Sequence, residues 1–319
     1  MELLKLKINI IELLRFIIVL IFLTPIFLLS NHISGSLFRD NFIYNNGYKK
    51  LDIQNNLIEN YLFFLTETGA PEPLSFLIFL VGSNLDFEYN SVIIIKNIVF
   101  IIIISFLTIK YFKNNIVFFV FCIYISTDYY LLRMMSELHR IHFAILFILL
   151  CLLYFKNIFI PILLSTLFHL QSIFFIIFYR IKLSDIIKII LIISPIILIV
   201  LPTLSSKLMI YQKFDVFSFL KVILVGSLFF VTNRYWPKDI FYRLISGVFI
   251  IGISSIFLGS DRLLFVIWEM LILILFYYYE NNILKKINFK NFFLLLIIFL
   301  IPYNVYRIKL FIFEVYFNN

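Results

Sequence analysis

The sequence predicts an all-α, polytopic integral membrane protein, and three observations carry that expectation. Apolar runs of roughly 20 residues recur along the chain, the length an α-helix needs to cross a bilayer at about 1.5 Å per residue. Only 14% of the 319 residues are charged and the mean hydropathy is +1.04, whereas a soluble domain carries about 25% charged residues. Lys and Arg gather at the ends of the apolar runs. The polar/apolar alternation over about 10 residues that marks a barrel strand is absent from the sequence. The net charge of +9 therefore reads as positive-inside topology and attraction to anionic lipid, and nucleic acid is not an expected partner. Cys122 and Cys151 fall inside apolar runs and read as small packing residues.

Each element follows from the same pattern. Lys5 and Lys7 place the N-terminus in the cytoplasm, and a first, uncleaved span covers 10–30. Glu12 and Arg15, three residues apart, can pair on one face of it. Residues 31–72 form the longest polar segment, with Arg39-Asp40 and the tyrosines Tyr44, Tyr48 and Tyr61. The apolar patch Tyr61–Leu65 favours an ordered extracytoplasmic cap. The cap loop extends over 31–90, because 74–85 is apolar yet too short to span and reads as a re-entrant or interfacial helix started after Pro73. Spans follow at 91–110, 116–132 and 140–155.

The run 158–179 cannot simply cross. If it did, Arg180, Lys182 and Lys188, the 234–243 loop and the 284–290 loop would all lie outside, inverting the charge rule for the C-terminal half. A turn at His169-Leu170-Gln171-Ser172 returns all three clusters to the cytoplasm, so a helical hairpin or broken helix is expected there. Backbone of that kind is tolerated at membrane depth only where it lines protein or a water cavity. Further spans at 186–203, 214–232, 243–259, 263–280 and 291–306 give about ten crossings plus the hairpin, in a single domain over 1–319.

The polar chemistry concentrates between Arg133 and Gln171. Arg133, Glu137 and Arg140 are spaced to share one helix face. Two arginines at the outer mouth of a membrane protein can clamp a phosphate, since a guanidinium stays charged and binds bidentately; a helix-end salt-bridge cluster is the plainer reading. His139 and His142 form an i,i+3 pair with no third metal ligand near in sequence. His169 lies inside an apolar run, where an ionisable group is a functional candidate by default; a neutral histidine bonded to a neighbouring helix is the alternative. Arg262 follows Asp261 at the mouth of a late span, and Glu269, seven residues on, is as well read as a structural pair. Lys96 and Lys221 read as snorkelling lysines without a role. No P-loop, GxGxxG or HExxH pattern occurs, so a nucleotide-driven pump or a membrane metalloprotease has no support.

Four short segments together resemble the EpsG-like branch of the Wzy-type O-antigen and exopolysaccharide polymerases. They are Glu72-Pro73-Leu74, the stretch Ser136-Glu137-Leu138-His139-Arg140 (with His139 where the family pattern has glutamine), Leu167-Phe168-His169 through Ser172, and Gly259-Ser260-Asp261-Arg262. The resemblance implies a multi-pass glycosyltransferase of the bacterial inner (plasma) membrane. It would polymerise oligosaccharide repeat units carried on undecaprenyl diphosphate, at the outer face, into lipopolysaccharide O-antigen, capsule or exopolysaccharide. It implies diphosphate and sugar binding by Arg140 and Arg262, and a role for His169. With Arg133 and Arg39 at the same face, the arginines carry the charge that a divalent metal would otherwise supply, so no cofactor or metal is expected. Glu137, His169 and Asp261 are the general-base candidates. The expected partners are the lipid-linked glycan, membrane lipids, a chain-length regulator and a flippase. The alternative readings are an O-antigen ligase and a lipid-linked oligosaccharide flippase or transporter.

Overall fold

The computed structural model describes residues 10–36, 39–52, 54–154, 159–169, 172, 216–231 and 289–317, with scattered helical positions between 238 and 255. Among these residues every regular element is a helix. In chain order they are α1 (Ile10–Gly35), α2 (Asp40–Lys49), α3 (Leu57–Thr68), α4 (Pro73–Asn84), α5 (Tyr89–Tyr111), α6 (Asn115–Ser126), α7 (Tyr129–Ser136), α8 (His139–Tyr154), α9 (Phe159–Ser165), α10 (Val216–Val231) and α11 (Phe289–Phe317). The expected spans at 186–203 and 263–280, Asp261, Arg262 and Glu269 lie outside the described residues, and 243–259 is described only at isolated positions.

Helices α1 and α5 are long and apolar enough to cross a membrane; α6 and α7 make a third if counted as one bent span. The protein has membrane character on its surface too. Helix α1 buries a stripe at Val19, Leu23, Ile26, Ser30 and Ile33, the three- and four-residue spacing of one helix face. Its outer face shows Ile10, Leu13, Ile17, Ile21 and Leu28, an apolar surface that suits hydrocarbon and not water. In the most apolar window of α1 only 22% of residues are buried, whereas in α5 the figure is 67%, so α5 is the central helix. It packs against α1, α4 and α8.

Helix α1 runs past the expected end at 30 because its polar residues find partners within the protein. Asn31 Oδ1 accepts from Asn97 (2.8 Å), and the Ser34 hydroxyl lies within reach of Ser30 O (2.8 Å) and Ser136 O (3.0 Å). At its other end, Arg15 donates to Phe112 O (3.0 Å) and Lys113 O (2.8 Å) and to Asn115 Oδ1, holding the α5–α6 turn. Helix α11 likewise outruns the expected 291–306, because Arg307 need not leave the bundle: its guanidinium sits 4.8 Å over the Tyr129 ring.

The expected span at 116–132 is bent by 52° between α6 and α7. Asp128 causes the break by capping α7, accepting from Tyr130 N (2.8 Å) and Leu131 N (3.2 Å). A second break overturns the single helix face expected for Arg133, Glu137 and Arg140. The amides of Glu137 (2.8 Å) and Leu138 (3.0 Å) both converge on Arg133 O, and a separate helix, α8, starts at His139.

Between α1 and α5 the described chain folds into three short helices, α2, α3 and α4, which form a helical cap on the bundle. Asn56 and Glu59 form a reciprocal capping box that starts α3, Gly69 at φ 57° closes it, and Pro73 opens α4. The cap has its own core around Phe79, which is fully buried. The rings of Phe64, Phe143, Tyr44 and Tyr89 surround it at centroid distances of 5.6, 5.8, 5.9 and 6.1 Å. Helix α9 ends at Ser165 in a turn, with Phe168 N (3.0 Å) and His169 N (3.1 Å) both donating to Ser165 O. Helix α9 therefore ends just ahead of the turn expected at 169–172; the expected second arm of the hairpin falls outside the described residues.

Candidate functional site

Three segments far apart in sequence meet where the cap joins the bundle. Glu72 sits just before α4 and is buried. Its Oε2 accepts from Arg140 Nη1 of α8 at 2.5 Å. The first turn of α4 is docked on the α9 turn: Leu74 N donates to Leu167 O (3.1 Å), and the Ser75 hydroxyl donates to Phe168 O (2.7 Å). These bonds satisfy helix-end groups that would otherwise be orphaned. They also bring the half-buried His169 beside Glu72. Burial by itself pushes the Glu72 carboxyl up, but the Arg140 guanidinium and the charge of His169 outweigh it and hold the carboxyl below its ordinary value. The Arg140 guanidinium also lies 5.7 Å over the Tyr44 ring, and burial pushes the Tyr44 phenol well up despite that cation.

A second polar chain runs alongside. Lys96 of α5 is buried, with Nζ 2.7 Å from His139 Nδ1 and 3.3 Å from Met135 O. His139 Nε2 is 2.6 Å from Asn41 Oδ1. The Asn41 amide is oriented by its donation from Nδ2 to Ser136 O (2.8 Å), so Oδ1 is the acceptor for both His139 and the Tyr89 hydroxyl (3.3 Å). That places the imidazole proton on Nε2 and leaves Nδ1 to accept from Lys96. One turn along, His142 is fully buried, neither ring nitrogen has a hydrogen-bond partner among the described residues, and its ring is edge-on to Phe100 at 4.6 Å.

Arg133 belongs to a third cluster across the α7–α8 break. Its Nη2 (3.1 Å) and Nε (3.2 Å) both reach Glu137 Oε2, leaving buried Glu137 Oε1 without a hydrogen-bond partner among the described residues. Its guanidinium lies 5.9 Å from both the Tyr129 and Phe311 rings. Arg39 adopts φ 50° and forms a half-exposed ion pair with Glu314 of α11.

Of the residues singled out in the sequence, Arg140 and His169 are thus brought together, and Arg133 and Glu137 are joined to each other. The expected common face of Arg133 and Arg140 is replaced by two separate ion pairs. Glu72, Tyr44, Asn41 and Lys96 went unrecognised as site residues. Lys96 carried a usable signal: it lies seven residues into α5, followed at once by Asn97, with apolar residues on both sides. It does not snorkel; His139 gives its ammonium an acceptor within the bundle.

Fold and site together define a class: an all-helical protein of membrane character, with buried ionic side chains gathered between a helical cap and the bundle. No family model, curated protein or solved structure matches the chain.

Proposed function

We propose that this chain is a multi-pass glycosyltransferase of the bacterial plasma membrane, one that polymerises undecaprenyl-diphosphate-linked repeat units at the outer face. The observation that supports it most is the meeting of Glu72, Arg140 and His169. Three of the four segments that resemble the Wzy-type polymerases converge on one point although 68 residues separate Glu72 from Arg140. The fourth, 259–262, lies outside the described residues.

In the proposed reaction, a hydroxyl of the incoming unit attacks the anomeric carbon of the growing chain. The bond from that carbon to the diphosphate oxygen breaks, and the diphosphate leaves on its lipid carrier. Arg140 stabilises the charge developing on the diphosphate, and a cation fixed in a dry site does this without reorganising. The acceptor hydroxyl's proton goes to a carboxylate or imidazole. Glu72, held ionised beside Arg140 and His169, joins Glu137, His169 and Asp261 as a candidate for that base. The aromatic cap supplies rings for sugars, and the apolar outer faces of the helices suit an isoprenoid chain.

Arg140→Ala and Arg262→Ala are expected to abolish long glycan chains while single repeat units still reach the cell surface and the protein remains in the membrane. A glycan ladder unchanged by Arg140→Ala rules the arginine mechanism out. Loss of all units outside the cell points to a flippase instead, and polymer stranded on the carrier lipid to a ligase.

A further inference from the structure

Tyr48 and Tyr89 also form the wall of a cavity of about 490 Å³ whose lining includes neither Arg140 nor Glu72. Its size falls within the range of small-molecule sites, about 300–1,000 Å³. Both rings are held in place: the Tyr48 hydroxyl donates to Phe87 O (2.6 Å) and the Tyr89 hydroxyl to Asn41 Oδ1 (3.3 Å). The rings are packed edge to face at 5.9 Å. The rest of the lining is Gly35, Leu51, Ser83, the amides Asn45 and Asn90, and two rim charges. Asn45 is only 7% exposed, and Asn90 Oδ1 is buried without a hydrogen-bond partner among the described residues. Lys49 and Glu88 stand exposed at the rim.

A buried amide oxygen without a partner is costly, and native proteins seldom keep one unless a ligand or water completes it. The chemistry here selects among ligands. A lipid chain would leave both amides unsatisfied in an apolar contact. A phosphate would meet one lysine opposed by a carboxylate. A polyol satisfies amide donors and acceptors at once, while the apolar face of a sugar ring packs on tyrosine.

We propose that this cavity is a carbohydrate pocket that seats a short run of sugars of the glycan, with Asn45 and Asn90 as its hydrogen-bonding residues. The inference rests on the glycosyltransferase reading, for which it supplies an acceptor seat apart from the diphosphate arginine. Through the Tyr89–Asn41–His139 bonds, an occupied pocket is also in contact with the buried polar chain next to Arg140.

The test uses the full chain carrying Lys49→Cys, in native membranes, labelled with a thiol-reactive fluorescent maleimide. The native Cys122 and Cys151 are buried and do not compete. The probe is the oligosaccharide released by mild acid from the host's own surface polymer. It is expected to slow labelling several-fold, whereas polyethylene glycol of equal mass does not. In the same background, Asn90→Leu and Asn45→Leu are expected to remove the protection. Asn90 is only half-buried, so its substitution keeps the test valid if Asn45→Leu fails to fold. Labelling at the same rate with and without the oligosaccharide overturns the pocket, as does protection that survives Asn90→Leu. The Arg140→Ala ladder separates the two ideas: a lost ladder without protection leaves the polymerase standing and the pocket fallen. Protection with an intact ladder leaves the pocket standing and rules the arginine mechanism out.

Discussion

Glu72 and Arg140 are tolerable in the interior only as a pair. Removing one leaves the other charge buried, at a cost of about 3–5 kcal/mol, whereas replacing both with apolar side chains of similar volume is often neutral or stabilising. Arg140→Ala is therefore expected to lower the melting temperature in detergent, and the double variant Glu72→Leu with Arg140→Leu to restore it. Polymer should be absent from both. Recovery of the glycan ladder along with stability would reduce the pair to a structural role. The pH dependence has a definite sign. A carboxyl held below its ordinary value of 4.5 contributes stability that is fully present above that value and is lost as pH falls through the folded one. The stability gap between the native protein and Glu72→Gln should be constant above about pH 5 and should close in more acid solution. A gap that persists unchanged down to pH 3 would show that the ionised form is not what Arg140 holds. The pair itself was not legible in the sequence, because spacing rules see partners three or four residues away and these are 68 apart. Arg140 and His169 were legible, since ionisable groups in apolar runs stand out individually.

Helices were legible wherever apolar length alone decides them, and their interruptions only partly. The 74–85 run was read as a short helix behind Pro73, and α4 is that helix. The break at His169 followed from charge distribution along the chain. The breaks at Asp128 and Glu137 escaped notice because both residues lie in stretches whose composition is helical throughout. What decides them is local competition: an Asp side chain that captures two amides, and one carbonyl that accepts from two amides at once. The fit of α4 against α5 turns on a glycine. A Cβ at Gly82 would lie 2.6 Å from Val92 Cγ2 and 3.2 Å from the Tyr48 hydroxyl oxygen. Gly82→Ala should thus cost about 1–3 kcal/mol by overpacking and disturb the Tyr48 to Phe87 bond that fixes the cavity wall. A melting temperature equal to that of the native protein would mean that α4 can shift freely and does not hold the cap in register.

Whether these parts make one active site depends on which side of the membrane each reaches, and charge is the physical handle. In the proposed topology, Arg180, Lys182 and Lys188 return to the cytoplasm through the break at His169, and Asp261-Arg262 emerges outside with Arg140. If 158–179 crosses instead, every later segment is inverted, and Arg262 lies a full bilayer, about 30 Å, away from the Glu72–Arg140 pair. The first alternative keeps positive charge inside along the whole chain; the second reverses it for the C-terminal half, and the membrane potential and translocation machinery both act against that. Single cysteines decide between them. A thiol reagent that cannot cross the membrane should label Lys50→Cys, on the exposed surface of the cap, in intact cells. It should leave Ser184→Cys unlabelled until the membrane is opened, whereas Lys207→Cys, carried to the outer side by the 186–203 crossing, should be labelled in intact cells. Labelling of Ser184→Cys in intact cells would place the C-terminal half the other way up. Arg262 would then be removed from the diphosphate site, and Arg140, with Glu72 and His169, would have to hold the diphosphate without it.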